Sequence, residues 1–450
     1  MNIVWSNIAP RVGVSWDPGG DGRTSLRAGY GLTGDFVTGQ FFFDSRSAPP
    51  FGLEQRLTST RLDDPWGAVG RVNPYPVPLG GDDYPYSAAL YSLFISMPTD
   101  IKTTRNHSWN VAFQRQVGER MAFSATYLGN RMVNMWGVVD GNPGVIPAGS
   151  TATGPCTLRL PAGGTQSFAN CSTAPLDLRR ELSQVNPPVG QYYGYLDWIT
   201  DAGWQNYHGL LLSVQRRSAG GLTTNANYTI STCEGLISQG QAPLNVATGY
   251  MKPVSLINPP SDAERDALFE EDKGRCGTWR KHIFNLSASF ETPQFDNTTA
   301  RRLASGWRLS GIYRANSGAP LTVLTGTDRA LSGIQVTTQR ANQILDNPYG
   351  DKTINGWLNP AAFEQPALGT YGNSVRNAYD GPGRQVVDLS LVRTFRMGNG
   401  HRIEARVEAF NAFNWFLLEN PNTTLSAANF GRITASGDPR IMQFAVKYDF

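Results

Sequence analysis

The sequence lacks any long apolar stretch. No run of about 18 apolar residues occurs among its 450 residues, and the mean hydropathy is −0.32, which excludes a helical membrane span. Helix formers dominate no segment, whereas 48 Gly, 29 Pro and 11% aromatic residues are typical of strands and turns. A transmembrane β-barrel is compatible with all of these observations, because only every second residue of its strands faces lipid.

The sequence also lacks the patterns of enzymes and of nucleic-acid-binding proteins. Its 39 basic and 36 acidic residues are interspersed, so no basic stripe predicts a nucleic-acid partner. No G-x-S-x-G, H-E-x-x-H or C-x-x-C motif occurs, and there are only four histidines. We therefore expect no catalytic residue, no cofactor and no metal site, and a barrel with a catalytic rim ranks last among the alternatives.

Cysteine is scarce, and no export signal is visible. Residues 1–7 contain no basic segment followed by an apolar one. The four cysteines have no zinc-ligand spacing, and an even number in an oxidising compartment favours two disulfides. Of the three possible pairings we favour Cys156 with Cys171 and Cys233 with Cys276.

The last ten residues alternate perfectly between apolar and polar side chains. Met442, Phe444, Val446, Tyr448 and Phe450 share one face. The segment has about the 9–11 residues that a tilted strand needs to cross the hydrocarbon layer. This pattern is typical of the closing strand of an outer-membrane barrel, so we expect Phe444, Tyr448 and Phe450 to form the terminal signal for the barrel-assembly machinery.

Five further pairs of period-two segments predict hairpins. They are 11–17 with 23–32, 108–117 with 121–128, 208–216 with 222–230, 282–290 with 307–315, and 387–395 with 402–410. In the last pair Arg402, Glu404, Arg406 and Glu408 share one face, opposite four apolar residues. Four charges would be very unfavourable in a dry core, so we expect them to face a watery lumen.

Short and long connections alternate strictly along the chain. The short ones are 18–22, 118–120, 218–221, 292–305 and 397–400, and the long ones are 33–106, 131–206, 232–280, 317–384 and 412–440. In outer-membrane barrels the short turns are periplasmic and the long loops extracellular. The eleven predicted strands are an odd number, whereas bacterial single-chain barrels close with an even number. We therefore expect either one more strand from a loop or, preferably, a missing upstream segment.

Six sequence strings follow one another along the chain in a distinctive order: Ala9-Pro-Arg-Val-Gly-Val-Ser-Trp-Asp-Pro18, Trp109-Asn-Val-Ala-Phe-Gln-Arg-Gln116, Asn206-Tyr-His-Gly-Leu210, Gly306-Trp-Arg-Leu-Ser-Gly311, Glu408-Ala-Phe-Asn-Ala-Phe-Asn414 and Asn429-Phe-Gly-Arg-Ile-Thr434. Together they resemble the barrel half of TonB-dependent outer-membrane transporters of the Oar-like group. The resemblance covers residues 7–450. It implies a partial all-β transmembrane antiparallel barrel, with about 11–12 strands of about 22, and residues 1–450 as its C-terminal part.

The resemblance also implies a function in the bacterial outer membrane. The intact protein would take up a scarce small ligand of unknown identity, with the TonB system and a plug domain as partners and outer-membrane lipid around the barrel. The resemblance implies that this chain is the C-terminal barrel part alone, without the signal peptide, β-sandwich domain, Ton box and plug of that family. The alternatives are a plugless porin-like or adhesin-like barrel and a soluble β-sandwich.

The predicted outer loop before residue 208 is rich in aromatic residues. Exposed aromatics can stack on a sugar or another flat ligand, which makes this set the candidate ligand-contacting site: Tyr192, Tyr193, Tyr195, Trp198 and Trp204. The alternative is that they pack the loop against itself or its neighbours. His107, His208 and His282 share faces with apolar residues, so we interpret them as anchors at the lipid headgroups and not as a metal site.

Overall fold

The computed structural model describes residues 8–35, 61–67, 73, 92–96, 98–236, 252–255, 257–333, 339–397 and 400–450. Its main feature is one antiparallel sheet in which each of eleven strands pairs with the next along the chain. The strands are β1 (Arg11–Trp16), β2 (Thr24–Gly34), β3 (Arg105–Val117), β4 (Met121–Asp140), β5 (Tyr193–Ala219), β6 (Leu222–Gly235), β7 (His282–Glu291), β8 (Trp307–Asn316), β9 (Arg384–Arg396), β10 (Arg402–Phe410) and β11 (Ile441–Asp449).

All five predicted hairpins and the terminal strand are present, and the all-β class is confirmed. Turn chemistry explains the tight connection between β3 and β4, where Gly118 has a φ of +61°, a conformation that favours glycine. Among the described residues β1 pairs only with β2 and β11 only with β10, so the sheet is open. A strand such as β7, with ten residues, spans about 24 Å when tilted by about 45°, close to the height of the apolar band of an outer-membrane barrel.

Two strands are longer than the sequence predicts. The prediction treats 131–206 as a loop, but β4 continues to Asp140 and β5 begins at Tyr193, so the two strands stay paired as far as Asp140 and Asp197. The last four residues of β4, 137–140, are buried on both faces beneath the loops, so this part of the sequence loses the alternation that reveals a half-exposed strand. Most of the predicted connection 33–106 lies outside the described residues.

One face of the sheet is apolar across all eleven strands. The register carries the pattern from strand to strand: Val12 lies opposite Tyr30, Leu212 opposite Tyr228, and Val407 opposite Phe444. Val12 and Phe444 are each 73% exposed, so they are not buried between two stacked sheets. The soluble β-sandwich alternative is therefore wrong.

The opposite face is polar along the same strands. On this face Gln215 lies opposite Asn225, Ser289 opposite Ser310, and Arg406 opposite Ala445. We call the two sides the apolar face and the polar face. A sheet with one exposed apolar face and one polar face fits a wall between lipid and water.

The buried apolar core lies in the long connections at one end of the sheet. The described residues of these connections contain α1 (Asp262–Glu270) and five single-turn helices: Cys171–Thr173, Leu176–Arg179, Glu181–Val185, Pro187–Gly190 and Pro360–Ala362. They also contain four short antiparallel strand pairs: Cys156–Arg159 with Thr165–Phe168, Pro320–Leu321 with Tyr379–Asp380, Asn342–Gln343 with Phe363–Glu364, and Tyr349–Thr353 with Gly356–Leu358. Ser92–Ser96 pairs parallel to β5, and Gly274–Arg275 pairs with β6. The turn at the other end before β8 holds α2 (Thr298–Ala304). No helix in the described ranges has the length and apolarity to cross a membrane.

Candidate functional site

Four long connections emerge at the same end of the sheet and pack into one body, which we call the outer assembly. It comprises the described residues of 141–192, 252–281, 317–383 and 411–440 together with the outer ends of β4, β5 and β6. Its largest apolar cluster combines four segments of 317–383, around Leu321, Ala341, Leu358 and Tyr379, with Phe430 of the last connection. A second cluster packs Val139 of β4 against Val254 and Phe269. The outer assembly therefore has a core of its own.

Hydrogen bonds tie the connections together around 317–383. Arg179 Nη1 donates to the Leu331 carbonyl (2.6 Å), and Tyr195 Oη donates to the Gly333 carbonyl (2.8 Å). On another side Arg275 Nη1 reaches Asp380 Oδ1 (2.7 Å). Residues 317–383 thus form the centre of the assembly, contacting the connections on both sides.

A buried charge cluster lies where β4 enters the outer assembly. The guanidinium of Arg180 is buried, lies 4.2 Å from the centre of the Tyr195 ring, and donates through Nη1 to the Asn142 carbonyl (2.8 Å). Asp140 Oδ2 lies 3.9 Å from Arg180 Nη1. Such a pair contributes little net stability, but removing one partner leaves a buried charge. This cluster fixes the loop that carries the aromatic residues.

The structure places the candidate ligand-contacting aromatics mainly inside the assembly. Tyr193 packs on Phe94 with ring centres 4.4 Å apart, and Trp198 packs against the cluster around Val139. Trp204 donates through Nε1 to Glu270 Oε1 (3.2 Å). Tyr192 and Tyr195 are half-buried. Their role in ligand contact stays a prediction.

Two disulfides join the pairs that the sequence favours. Cys156 bonds to Cys171 within the first connection, and Cys233 of β6 bonds to Cys276 just before β7. Both lie on the side of the long connections. The second bridge fixes the outer end of β6 beside the start of β7.

The predicted lumen charges lie together on the polar face. Arg402 Nε bonds to Asp449 Oδ2 (2.6 Å), and Arg406 Nη1 lies 3.6 Å from Glu408 Oε1. Glu404 Oε2 lies 4.0 Å from Arg308 Nη2, which extends the network to β8. The charges of β8–β11 thus form an ion-paired wall.

The polar face of the earlier strands is different in chemistry. There amides and hydroxyls dominate: Ser213 Oγ donates to Asn227 Oδ1 (2.7 Å), and Ser289 and Ser310 share a hydrogen bond of 2.9 Å. The polar face therefore has a neutral half on β4–β7 and a charged half on β8–β11. Periodicity predicts which residues share a face, but not this division.

A repeated pair of tyrosine and histidine on the apolar face was missed by the sequence analysis. Every histidine of the chain contacts a tyrosine hydroxyl of the neighbouring strand through Nδ1, at 2.8–2.9 Å: His107 with Tyr30, His208 with Tyr127, His282 with Tyr228, and His401 with Tyr448. In each pair the histidine lies two residues before the residue that is opposite the tyrosine in the strand register; for example, Trp109 lies opposite Tyr30, and His107 comes two residues before Trp109. The sequence therefore contains this regular spacing, but the tyrosine and histidine of a pair can be matched only when the strand register is known.

Arg393 lies on the apolar face, a position that the alternation of side chains along β9 predicts from sequence. Its guanidinium donates through Nη1 to the Leu303 carbonyl (2.6 Å) and through Nη2 to the Arg302 carbonyl at the end of α2. It also lies 4.7 Å from the centre of the Trp307 ring. A cation at the C-terminal carbonyls of a helix is electrostatically favourable, which explains how the charge is accommodated.

The terminal aromatics lie on the exposed edge of the apolar face. Phe444 and Phe450 are mostly exposed, and the Tyr448 ring lies 5.9 Å from that of Phe450. No cluster of His, Cys, Asp and Glu suited to a metal ion occurs in the part of the chain that the structure describes.

The geometry of a two-faced sheet with an outer assembly agrees with the comparison to protein families. Residues 1–443 match the model described as the outer membrane beta barrel domain. The chain belongs to this family. It is accordingly a protein of the bacterial outer membrane, with the apolar face toward lipid and the polar face toward the lumen.

Solved structures of outer-membrane proteins are similar to this chain at low sequence identity. The outer membrane transporter YddB from Escherichia coli is 12% identical, with a TM-score of 0.48, over 98% of this chain and 40% of that one. The FrpB iron transporter from Neisseria meningitidis is 13% identical, with a TM-score of 0.39, over 97% and 38%. The pyoverdine receptor FpvA from Pseudomonas aeruginosa is 10% identical, with a TM-score of 0.42, over 98% and 36%. The chain thus spans about two fifths of their length, and no curated protein matches it.

Proposed function

We propose that this chain is the C-terminal part of the barrel of a TonB-dependent receptor that takes up a scarce ligand across the outer membrane. The observation that carries the proposal is the asymmetry of the sheet, with packed, long connections at one end and short turns at the other. Outer loops of this kind can capture a ligand, and a polar lumen can conduct it. The Oar-like subgroup, the plug and the TonB system are part of the proposal.

Two sets of residues have roles in this proposal. The half-buried Tyr192 would offer ring surface to the ligand, since the other loop aromatics are engaged in contacts within the outer assembly: Tyr193, Tyr195, Trp198 and Trp204. The ion-paired wall around Arg402 and Glu404 would contact the plug on the lumen side. The exposed edge with Phe444, Tyr448 and Phe450 would be recognised by the barrel-assembly machinery.

The internal packing of the loop aromatics favours a second candidate, a plugless porin-like or adhesin-like barrel. Trp198 and Trp204 stabilise the outer assembly and need no ligand to explain them. In that case the loops would form a structural surface, and the lumen would be permanently open.

Channel recordings and uptake assays separate the two candidates. The protein expressed from its natural gene is reconstituted in planar bilayers, and the cells are assayed for uptake of labelled ferric siderophores, cobalamin, oligosaccharides and peptides. A gated receptor gives no steady conductance, and its uptake of one ligand class is lost when TonB is deleted. Steady conductance together with TonB-independent uptake would contradict the receptor proposal and favour the porin.

A further inference from the structure

The outer boundary of the apolar face is marked by three of the tyrosine–histidine pairs. Tyr30 with His107, Tyr127 with His208, and Tyr228 with His282 lie on the apolar face, toward the outer assembly from its large apolar residues such as Val111 and Leu212. Tyrosine and histidine have an apolar ring and a polar edge, and such residues are enriched where hydrocarbon meets headgroups. We call these three pairs the outer row.

A groove of about 420 Å³ opens just beyond the outer row, on the same side of the sheet. Gly129 lies opposite His208 in the row, and two residues farther out Arg131 lies opposite Asn206, which lines the groove. Two residues of a tilted strand advance about 5 Å along the membrane normal, so the groove is at headgroup level. Its other polar lining side chains are Lys102, Asn134, Asp201, Arg265 and Asp266.

Two of the cations in the groove are available to a ligand. Within the described residues neither Lys102 Nζ nor the guanidinium of Arg131 has an ion-pair partner, and both side chains are exposed. Arg265 is already engaged by Asp262 at 2.9 Å.

The backbone that carries Lys102 is held in place. Its N–H donates to Asp201 Oδ2 (2.7 Å), and its carbonyl accepts a hydrogen bond from Trp136 Nε1 (2.7 Å). The first of these contacts engages Oδ2 of Asp201. The groove therefore presents two positive charges that have no ion-pair partner among the described residues, and the backbone of Lys102 is held by hydrogen bonds.

We propose that this groove binds the phosphate groups of a lipid headgroup in the outer leaflet. Lysine and arginine form charge-assisted hydrogen bonds to phosphate oxygens, and His208, whose Nδ1 contacts Tyr127, offers Nε2 at the lower edge of the groove. The acyl chains of such a lipid would lie on Trp109, Val111 and Leu210 directly below. This continuity with the apolar face selects a membrane lipid over a soluble phosphate, and the site is separate from the lumen of the proposed receptor.

The test compares binding of diphosphoryl lipid A by the detergent-purified full-length protein and its variants, measured by native mass spectrometry. Lys102→Gln and Arg131→Gln each weaken binding about fivefold, and the double variant about 25-fold, as expected for loss of one cation each near an anionic surface. Arg115→Gln, on the apolar face at the opposite end of the neighbouring strand, leaves binding unchanged. Arg131→Lys retains binding and separates loss of charge from misfolding.

Two further probes define the ligand. The first probe is lipid A from which both phosphates have been removed, and it binds to the wild type as weakly as diphosphoryl lipid A binds to the double variant. The second probe is millimolar inorganic phosphate, which does not displace diphosphoryl lipid A from the wild type. Equal binding of the phosphorylated and dephosphorylated lipids, or unchanged binding by the double variant, overturns the proposal. Displacement by millimolar inorganic phosphate shows an anion site and overturns its assignment to a lipid.

Discussion

At the residue scale, five polar side chains of the apolar face have a hydrogen-bond partner on a neighbouring element. The four histidines contact tyrosine hydroxyls, and Arg393 contacts the carbonyls at the end of α2. An unsatisfied polar group facing lipid would cost several kcal/mol, on the order given for groups transferred out of water. These contacts allow polar residues to lie at both margins of the membrane band.

We expect the folded protein to lose stability at alkaline pH because of Tyr379, which is buried in the outer assembly. Its burial raises the pKa of Tyr379 from 10.0 to about 12, and its hydroxyl donates to Gln343 Oε1 (2.8 Å). The folded state therefore keeps the proton when the unfolded chain loses it, so the stabilisation is complete below pH 10 and is lost as the pH rises toward 12. The loss reaches up to about 3 kcal/mol for two pKa units.

Urea unfolding of the wild type and of Tyr379→Phe at pH 9 and pH 11.5 measures this contribution. Other buried tyrosines titrate in both proteins, so only the difference between the two pH dependences belongs to Tyr379. The stability of the wild type falls more steeply than that of the variant. Parallel pH profiles would show that the Tyr379 hydroxyl does not titrate in the predicted range.

At the element scale, each strand has one face toward lipid and the other toward water. Leu212 of β5 lies on the apolar face opposite Tyr228, while its neighbour Ser213 lies on the polar face and bonds to Asn227. Sequence periodicity predicts this for the membrane-spanning part of every strand. It fails in the outer part of β4, where loops cover both faces and the alternation disappears.

Adjacent substitutions on β5 test which face meets lipid. Leu212→Arg destabilises the folded barrel by about 2–4 kcal/mol, as expected for a charge facing the hydrocarbon region, whereas Ser213→Arg costs much less because its side chain reaches water. Heat-modifiable mobility in gels across a urea titration in lipid vesicles gives both values. Equal costs for the two variants would contradict the assignment of the faces.

At the scale of the whole molecule, the outer assembly joins connections that are far apart in sequence. Arg340 forms a buried ion pair with Asp272 and donates through Nη2 to the Glu271 carbonyl (2.9 Å), which links 317–383 to the segment after α1. Because both side chains are almost completely buried, the pair cannot be broken without leaving a charge in the interior. The assembly should therefore respond as a unit when such a link is removed.

Arg340→Leu is expected to destabilise the outer assembly by about 3–5 kcal/mol, since it removes the cation that faces buried Asp272. The matched control is Arg384→Leu, whose partner Glu419 lies 3.7 Å away in a half-exposed pair, and it costs about 1 kcal/mol or less. Hydrogen exchange of the segments that contain Phe269 and Leu358 reports the change. If exchange increased equally in both variants, the buried pair would not be the link between the connections.

The sequence by itself determined the eleven strands and their two faces, because alternation is a local signal that each strand carries alone. It also placed the short turns and the long connections on opposite ends. The tertiary structure alone decided the tyrosine–histidine pairs, the neutral and charged halves of the polar face, and the packing of Tyr195 and Trp204 within the outer assembly. Those features join residues from different strands or distant loops, such as Arg179 and Leu331, and such contacts depend on register and loop packing that no local pattern encodes.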